Sequence, residues 1–305
     1  MNAAMKPADA RRVGLVGLGI MGSAYAVNLL KRGFVVFGFD IAAPARERLA
    51  EAGGQPLESA VAVAAAADCL LLALPSPDAL RAVVREIAPS LRKGMVVCEM
   101  GTFALEDKEA ARAEVEATGA VLLDSPVSGT GAQAAAGDLV IFASGNTTAC
   151  AEMERVFAAI SRKVIYAGAF GAGMKLKCVA NLLVSVHNLA TAEALCLAER
   201  AGLDVQTTIA AVREGAGNSR VFELRGPLMA SGRYEPATMK LAVHLKDLAV
   251  IKAFAEAVGA PTPLLDASTP FYHTAVAEGR GQQDTAALYE VLKSIKAGTR
   301  GDHSG

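Results

Sequence analysis

The chain has almost no net charge: 30 lysines and arginines face 31 aspartates and glutamates, leaving -1 at pH 7. That balance argues against nucleic acid or an anionic membrane surface as a partner. Cysteine is scarce, with five residues, at 69, 98, 150, 178 and 196. None stand at C-x-x-C spacing, and several lie in apolar runs, so they read as buried thiols rather than metal ligands. A reducing cytoplasm fits that usage. Long apolar runs are missing too. The most apolar window, Ala60 to Leu74, is interrupted by Asp68 and stops at Pro75, short of a membrane span. Met1 to Ala10 lacks the apolar core of a secretory leader. There are no internal repeats, and no low-complexity segments beyond alanine richness. These absences predict a soluble, cytoplasmic protein with no nucleic-acid, membrane or metal partner. The small, polar segment from Ala297 to Gly305 is expected to fray.

What is present is an apolar chain, 52% hydrophobic over 305 residues, long enough for two cores. Its most informative stretch is Arg12 to Gly22. A short apolar strand runs into glycines at 17, 19 and 22, and a helix follows from Ser23 to Lys31. This is G-x-G-x-x-G in its strand–turn–helix context. Gly17 permits the tight turn. Gly19 lets a pyrophosphate approach the backbone, and Gly22 lets helix and strand pack closely. The helix N-terminus supplies N–H groups and a partial positive charge. The loop residues Gly17, Leu18, Gly19, Ile20, Met21 and Gly22 are therefore the candidate cofactor site.

A second strand, Phe34 to Phe39, ends at Asp40. A dinucleotide fold places an acid there, about 20 residues beyond the glycines, to accept from the adenosine ribose. A carboxylate also repels a 2′-phosphate, so NAD is expected over NADP. Arg46 and Arg48 on the next helix weigh somewhat the other way, and a plain cap or turn is the other reading of Asp40. Strand–helix alternation continues. Cys69 to Leu74 is a fully apolar strand followed by a loop at Leu74 and Pro75, where a cofactor could pass. Strands at Met95 to Cys98, Val121 to Asp124, Leu139 to Ala143 and Lys163 to Tyr166 follow, with helices between them. The pattern implies a doubly wound parallel α/β sheet, Rossmann-type, with helices on both faces. Near residue 170 the period changes. A long helix runs from Gly173 to Arg200, and helices alone follow. The chain is divided into an α/β cofactor domain, 1–170, and an all-helical domain, 171–305.

Two further stretches could carry chemistry. Asp124-Ser125-Pro126-Val127-Ser128-Gly129-Thr130-Gly131 leaves a strand and enters a helical segment. Its backbone and the Ser128 and Thr130 hydroxyls suit a carboxylate, and equally an ordinary turn. Lys177 and Asn181, four apart, share one face of the long helix, with Val184 and Asn188 continuing the stripe. A partly desolvated lysine can act as an acid/base at neutral pH. The alternative is a lysine with a packed stem and a solvated ammonium.

Three blocks together resemble the β-hydroxyacid dehydrogenase family: Gly17 to Gly22, Asp124 to Gly129, and Gly171-x-Gly173-x-x-x-Lys177-x-x-x-Asn181. A fourth, Lys246-Asp247-Leu248, resembles that family's C-terminal K-D-L. The resemblance spans about residues 12 to 293. It implies a small hydroxy acid, with Lys177 taking the hydroxyl proton during hydride transfer. Asn181, Ser128, Gly129 and Thr130 would hold the acid, Lys246 would lie near nicotinamide and substrate, and Thr102 near the nicotinamide ribose. Homodimers or homotetramers are implied as well. Where 6-phosphogluconate dehydrogenases carry an acid seven residues after the lysine, this chain has Val184, which implies oxidation without assisted decarboxylation. Gly129-Thr130 replaces the usual Gly-Gly, Gly101-Thr102 replaces Ser-Thr, and Leu105 replaces a frequent proline; these departures bear on specificity. Gly215 to Arg225, with its Asn218-Ser219 pair, resembles the L-threonate dehydrogenase branch. The alternatives are a semialdehyde or glyoxylate reductase using NADPH, and a non-catalytic cofactor-binding protein.

Overall fold

The computed structural model describes residues 11–295. Met1 to Ala10 and the tail from Ala297 to Gly305, on which expectations were stated above, lie outside those residues. The chain forms two compact units, one ending at Cys178 and one beginning at Val179.

The first unit alternates strictly at first: β1 (Arg12–Val16), α1 (Ile20–Lys31), β2 (Val35–Phe39), α2 (Ala43–Glu51), β3 (Gln55–Pro56), α3 (Ala60–Ala66), β4 (Cys69–Leu72), α4 (Pro77–Ile87), β5 (Val96–Glu99), α5 (Leu105–Glu116) and β6 (Val121–Asp124). The strands lie in the order β3-β2-β1-β4-β5-β6, all parallel. Alternate residues feed two cores, as the two-residue strand period requires. Val13, Leu15, Leu71, Cys98 and Leu123 face one layer, and Val16, Leu70, Leu72, Val97 and Leu122 the other. Such strands are buried on both sides and read as unbroken apolar runs. Alanine richness hid α3, whose N-cap is Ser59, accepting from Ala62 N.

Beyond β6 the sheet departs from the all-parallel expectation. Two-residue β7 (Val127–Ser128) and five-residue α6 (Gly131–Ala135) turn the chain back, so β8 (Val140–Ser144) pairs antiparallel with both β6 and β7. Lacking a full crossover helix after β6, the chain does not continue the parallel order. Then α7 (Thr147–Glu152) and α8 (Glu154–Ile160), one expected helix split at Met153, lead to β9 (Lys163–Gly168), parallel to β8.

α9 (Ala172–Arg200) starts in the first unit and continues into the second. At 29 residues, with a window of mean hydropathy 1.2, it is long and apolar enough to cross a membrane, which no linear run of the sequence suggested. Its helical period gathers Lys177, Asn181, Ser185, Asn188 and Thr191 as buried polar residues, the mark of a helix packed within protein. The second unit adds α10 (Val205–Arg213), α11 (Arg220–Ser231), α12 (Leu241–Ala257), α13 (Pro263–Ala275) and α14 (Leu288–Ser294). An isolated bridge, Lys240 to Asp284, is its one strand-like pairing among the described residues.

Candidate active site

Five parallel strands end level. In register, Phe39, Val16, Leu72, Glu99 and Asp124 are neighbours across the sheet. The candidates in this unit stand just beyond that row: the glycine loop, Asp40, Leu74-Pro75, Thr102 and Ser128 to Thr130. Ligands in open α/β sheets bind outside these carboxyl ends, where the strand order reverses; here it reverses between β1 and β4.

The glycines do three different jobs. Gly17 has φ 92°, and a Cβ there would stand 2.3 Å from the Ala73 carbonyl. A Cβ on Gly22 would fall 1.9 Å from the Gly17 carbonyl oxygen. Gly19 faces open space, with no atom within 4 Å of its missing Cβ. It caps α1, and no side chain fills the cap. The helix end is thus a cradle for an anion, and these residues fit a dinucleotide pyrophosphate. Leu18 is turned the other way. Its side chain is buried, and its N–H donates to Asp40 Oδ2 at 2.7 Å. Ile20 is exposed and Met21 half-buried at the same helix end.

Asp40 makes a local turn and also reaches the glycine loop. Oδ1 accepts from Ala42 N at 2.8 Å, a local turn bond, while Oδ2 ties β2 to the glycine loop. Each carboxylate oxygen keeps acceptor capacity for a further donor. Arg46 donates to the Asp40 carbonyl at 2.6 Å and lies over the Phe39 ring. Leu74 is half-buried and Pro75 exposed at the end of β4, and Thr102 is half-buried past β5.

The substrate motif is built from turn chemistry. Gly129 has φ 140°, and a Cβ would press on the Leu139 side chain at 2.5 Å. Thr130 N–H donates to Gln133 Oε1 at 3.0 Å, and Gln133 N donates back to Thr130 Oγ1 at 3.5 Å. This capping box spends the Thr130 backbone donor and leaves its hydroxyl proton. Ser128 is half-buried on β7.

Lys177 is 5% exposed and lies one turn inside α9. One turn further on, within the second unit, Asn181 Nδ2 donates to Asp247 Oδ2 at 3.0 Å. Asp247 belongs to α12 and is buried, and the neighbouring Lys246 Nζ stands 3.7 Å from its Oδ1. The carboxylate fixes the amide end for end, turning Asn181 Oδ1 away as an acceptor. Asp247 stands in the K-D-L block with no role assigned from the sequence; an acid on the buried face of an apolar helix is the available signal. Asn188 does not belong with this pair. It donates to Tyr272 Oη and the Thr285 carbonyl, a structural amide. Ser219 caps α11 by accepting from Phe222 N, and Asn218 donates to Glu223. Arg225 is buried against Asp284 at 2.9 Å.

Comparison with known proteins gives the family. Residues 12–168 match the NAD binding domain of 6-phosphogluconate dehydrogenase, and residues 171–292 match the NAD-binding of NADP-dependent 3-hydroxyisobutyrate dehydrogenase. The chain is 33% identical to L-threonate dehydrogenase of Cupriavidus necator, over 94% of this chain and 97% of the other. It is 30% identical to 3-sulfolactaldehyde reductase of Escherichia coli, over 94% and 97%. The structure of Mycobacterium tuberculosis 3-hydroxyisobutyrate dehydrogenase with L-serine superposes with a TM-score of 0.84 at 28% identity, covering 93% of this chain and all of that one. A glycine loop built for a dinucleotide and a lysine–asparagine helix therefore stand in a chain that belongs to the β-hydroxyacid dehydrogenase family, an NAD(P)-dependent dehydrogenase of small hydroxy acids.

Proposed function

We propose that the protein oxidises a small β-hydroxy acid with NAD, four-carbon sugar acids such as L-threonate being the favoured substrates. The observation that carries this reading is the one-turn pairing of buried Lys177 and Asn181, with the Asn181 amide oriented by Asp247. Lys177 Nζ takes the substrate hydroxyl proton in oxidation and returns it in reduction. Asn181 Oδ1, turned away from Asp247, is the acceptor for a substrate O–H. Ser128, Gly129 and the Thr130 hydroxyl hold the carboxylate, and Lys246 adds positive charge beside substrate and nicotinamide. When bound, the nicotinamide supplies the hydride acceptor. Thr102, Leu74 and Pro75 line its course, and Gly17 to Gly22 receive the pyrophosphate. Burial of Lys177 serves the same chemistry, since proton and hydride transfer proceed best where water is excluded. Val184 offers no acid at the position where one assists decarboxylation, so the enzyme does not assist loss of CO2.

NAD is preferred because Asp40 presents its carboxylate at the end of β2, held by Leu18 N and Ala42 N. Residues 1–170 form the cofactor domain, and 171–305 the substrate and dimerisation domain of a homodimer or homotetramer. The L-threonate preference draws on the named relatives.

The test is a panel of L-threonate, D-glycerate, L-serine and 3-hydroxyisobutyrate with NAD, followed by NADH absorbance. Turnover highest with L-threonate supports the reading. Failure of all four, with consumption of NADPH on semialdehydes or glyoxylate, would replace it with the reductase.

A further inference from the structure

Past the ends of β5 and β6 lies a charged cluster that the reaction above does not use. Lys108 on α5 is fully buried, and so are Glu99 and Asp124. Its Nζ stands 2.6 Å from Glu99 Oε2 and 2.6 Å from Asp124 Oδ1, and it donates to the Gly101 carbonyl at 2.9 Å. Two of the three ammonium protons go to hydrogen bonds, on Asp124 Oδ1 and the Gly101 carbonyl, and Glu99 Oε2 pairs with the cation by charge. Burial pulls the Lys108 pKa down, but Asp124 and Glu99 outweigh it and keep the side chain charged.

The two carboxylates pass the connection on in different directions. Glu99 Oε1 accepts from Gly101 N at 2.6 Å. Gly101 is thereby held at both its N–H and its carbonyl, directly before Thr102. Asp124 Oδ2 accepts from Ser144 Oγ at 2.9 Å and from Met174 N at 2.8 Å. Ser144 Oγ in turn accepts from Gly173 N at 2.9 Å. Gly173 and Met174 open α9. Ala172 N donates to the Ala169 carbonyl, but the next two N–H groups are satisfied by side chains 29 and 50 residues earlier in the chain. A Cβ on Gly173 would lie 2.2 Å from the Phe142 carbonyl oxygen, so the helix start fits closely against β8.

Stability alone does not account for this cluster. One cation with two carboxylates is costly to bury, and apolar residues of like volume often serve as well or better. What apolar residues cannot supply is an acceptor aimed at two helix N–H groups and a donor aimed at a loop carbonyl. The surplus negative charge also sits at the positive end of the α9 dipole, where it is favoured.

We propose that Lys108, Asp124 and Ser144 are positioning residues that set the first turn of α9, and with it Lys177, against the Gly101-Thr102 loop. The inference rests on the reading of Lys177 as the acid/base. One buried ammonium then couples the loop assigned to the nicotinamide ribose with the helix assigned to the base. Lys177 lies one turn beyond the two clamped amides, so release of the clamp displaces its Nζ without removing it. Displacement of a catalytic group by about 1 Å costs on the order of a hundredfold in rate.

Ser144→Ala is the mildest way to open the clamp, with Lys108→Met as the stronger variant. Steady-state kinetics would use NAD and the best acid of the panel, and NADH affinity would be read by its fluorescence. Each variant is also built on Lys177→Ala. Amide exchange of the segment 172–178 is followed by mass spectrometry in the same proteins. Ser144→Ala is expected to lower kcat about ten- to a hundredfold, with the acid's KM and the NADH Kd unchanged, and to have no further effect on Lys177→Ala. Exchange of 172–178 should rise in both clamp variants. Full kcat in Ser144→Ala, or the same fold loss on both backgrounds, overturns the proposal. If Lys177→Ala itself keeps full turnover, the acid/base reading is what has failed. The clamp is then judged by exchange alone, which supports it if protection is lost and overturns it if protection is kept.

Discussion

Each unit buries an ion pair, and the two are built differently. In the second unit Arg225 and Asp284 meet one to one, 2.9 Å apart and 6% and 1% exposed. Asp284 also accepts from Thr238 N, Thr238 Oγ1, Met239 N and Ala286 N, so its charge is spread over donors from the segments it joins. That pair closes on itself and ties together the stretch before α12 and the turn before α14. In the first unit Lys108 faces two carboxylates, and the excess charge is passed to the end of another helix. A balanced pair secures a chain crossing. An unbalanced one, set at the edge of the strand row that carries the candidate site, can orient something beyond itself.

The comparison needs a scale, which Lys177→Ala provides. Loss of a general acid/base is expected to cut kcat by roughly a hundred- to ten-thousandfold, while NADH binding, read by fluorescence, stays near wild type. Retained turnover would remove the acid/base role. Against that reference, Arg225→Met should act on the other axis. Removal of one partner leaves Asp284 buried with its charge uncompensated, at a cost of about 3–5 kcal/mol, seen as a lower urea midpoint. The kcat of the folded fraction should be unchanged. A Lys108→Met variant that lost only stability, or an Arg225→Met variant that lost kcat, would erase the distinction between the two pairs.

The third effect in size concerns cofactor choice. Asp40→Asn keeps an oxygen for Leu18 N but removes the charge that repels a 2′-phosphate. A hydrogen bond to a charged group contributes about 1.5–3 kcal/mol, so the kcat/KM ratio of NAD to NADP should fall at least about tenfold. An unchanged ratio would mean that Asp40 serves the loop alone.

Much of this was legible in the linear sequence, for identifiable reasons. β1, α1, β2 and the glycine loop follow from local rules: apolar strands, glycines where a Cβ would strike backbone, an acid at the strand end. That Lys177 and Asn181 share one face follows from helical spacing, whereas the roles proposed for them come from the family resemblance. The antiparallel turn at β7 was not legible, because two-residue strands carry no period. Nor was the clamp, since Ser144 and Asp124 meet the start of α9 only through tertiary packing. One local sign did exist. Lys108 falls in the first turn or so of α5, where the helix dipole disfavours a cation, so its presence there called for carboxylates from elsewhere. The burial of Arg225 was not legible either: nothing in a helix with charged neighbours distinguishes a buried arginine from a solvated one.

The smallest effect comes from an ion pair at the other end of the same sheet. Arg12 opens β1 and Asp68 precedes β4. The guanidinium Nη2 lies 2.6 Å from Asp68 Oδ1, and Arg12 N donates to Oδ2 at 2.9 Å, yet the side chains are 50% and 36% exposed. Water and salt screen such a pair, so Arg12→Ala should barely move the urea midpoint. The hydrogen bond from Arg12 holds the Asp68 carboxyl below its ordinary 3.8. A depressed carboxylate contributes stability that is present above the ordinary value and lost as pH falls through the folded one. The small gap between wild type and Arg12→Ala should therefore be widest near neutrality, narrow below about pH 4, and shrink with added salt at neutral pH. A gap as large as that of Arg225→Met, or one that widens in acid, would show that exposure is not what separates the ends of this sheet.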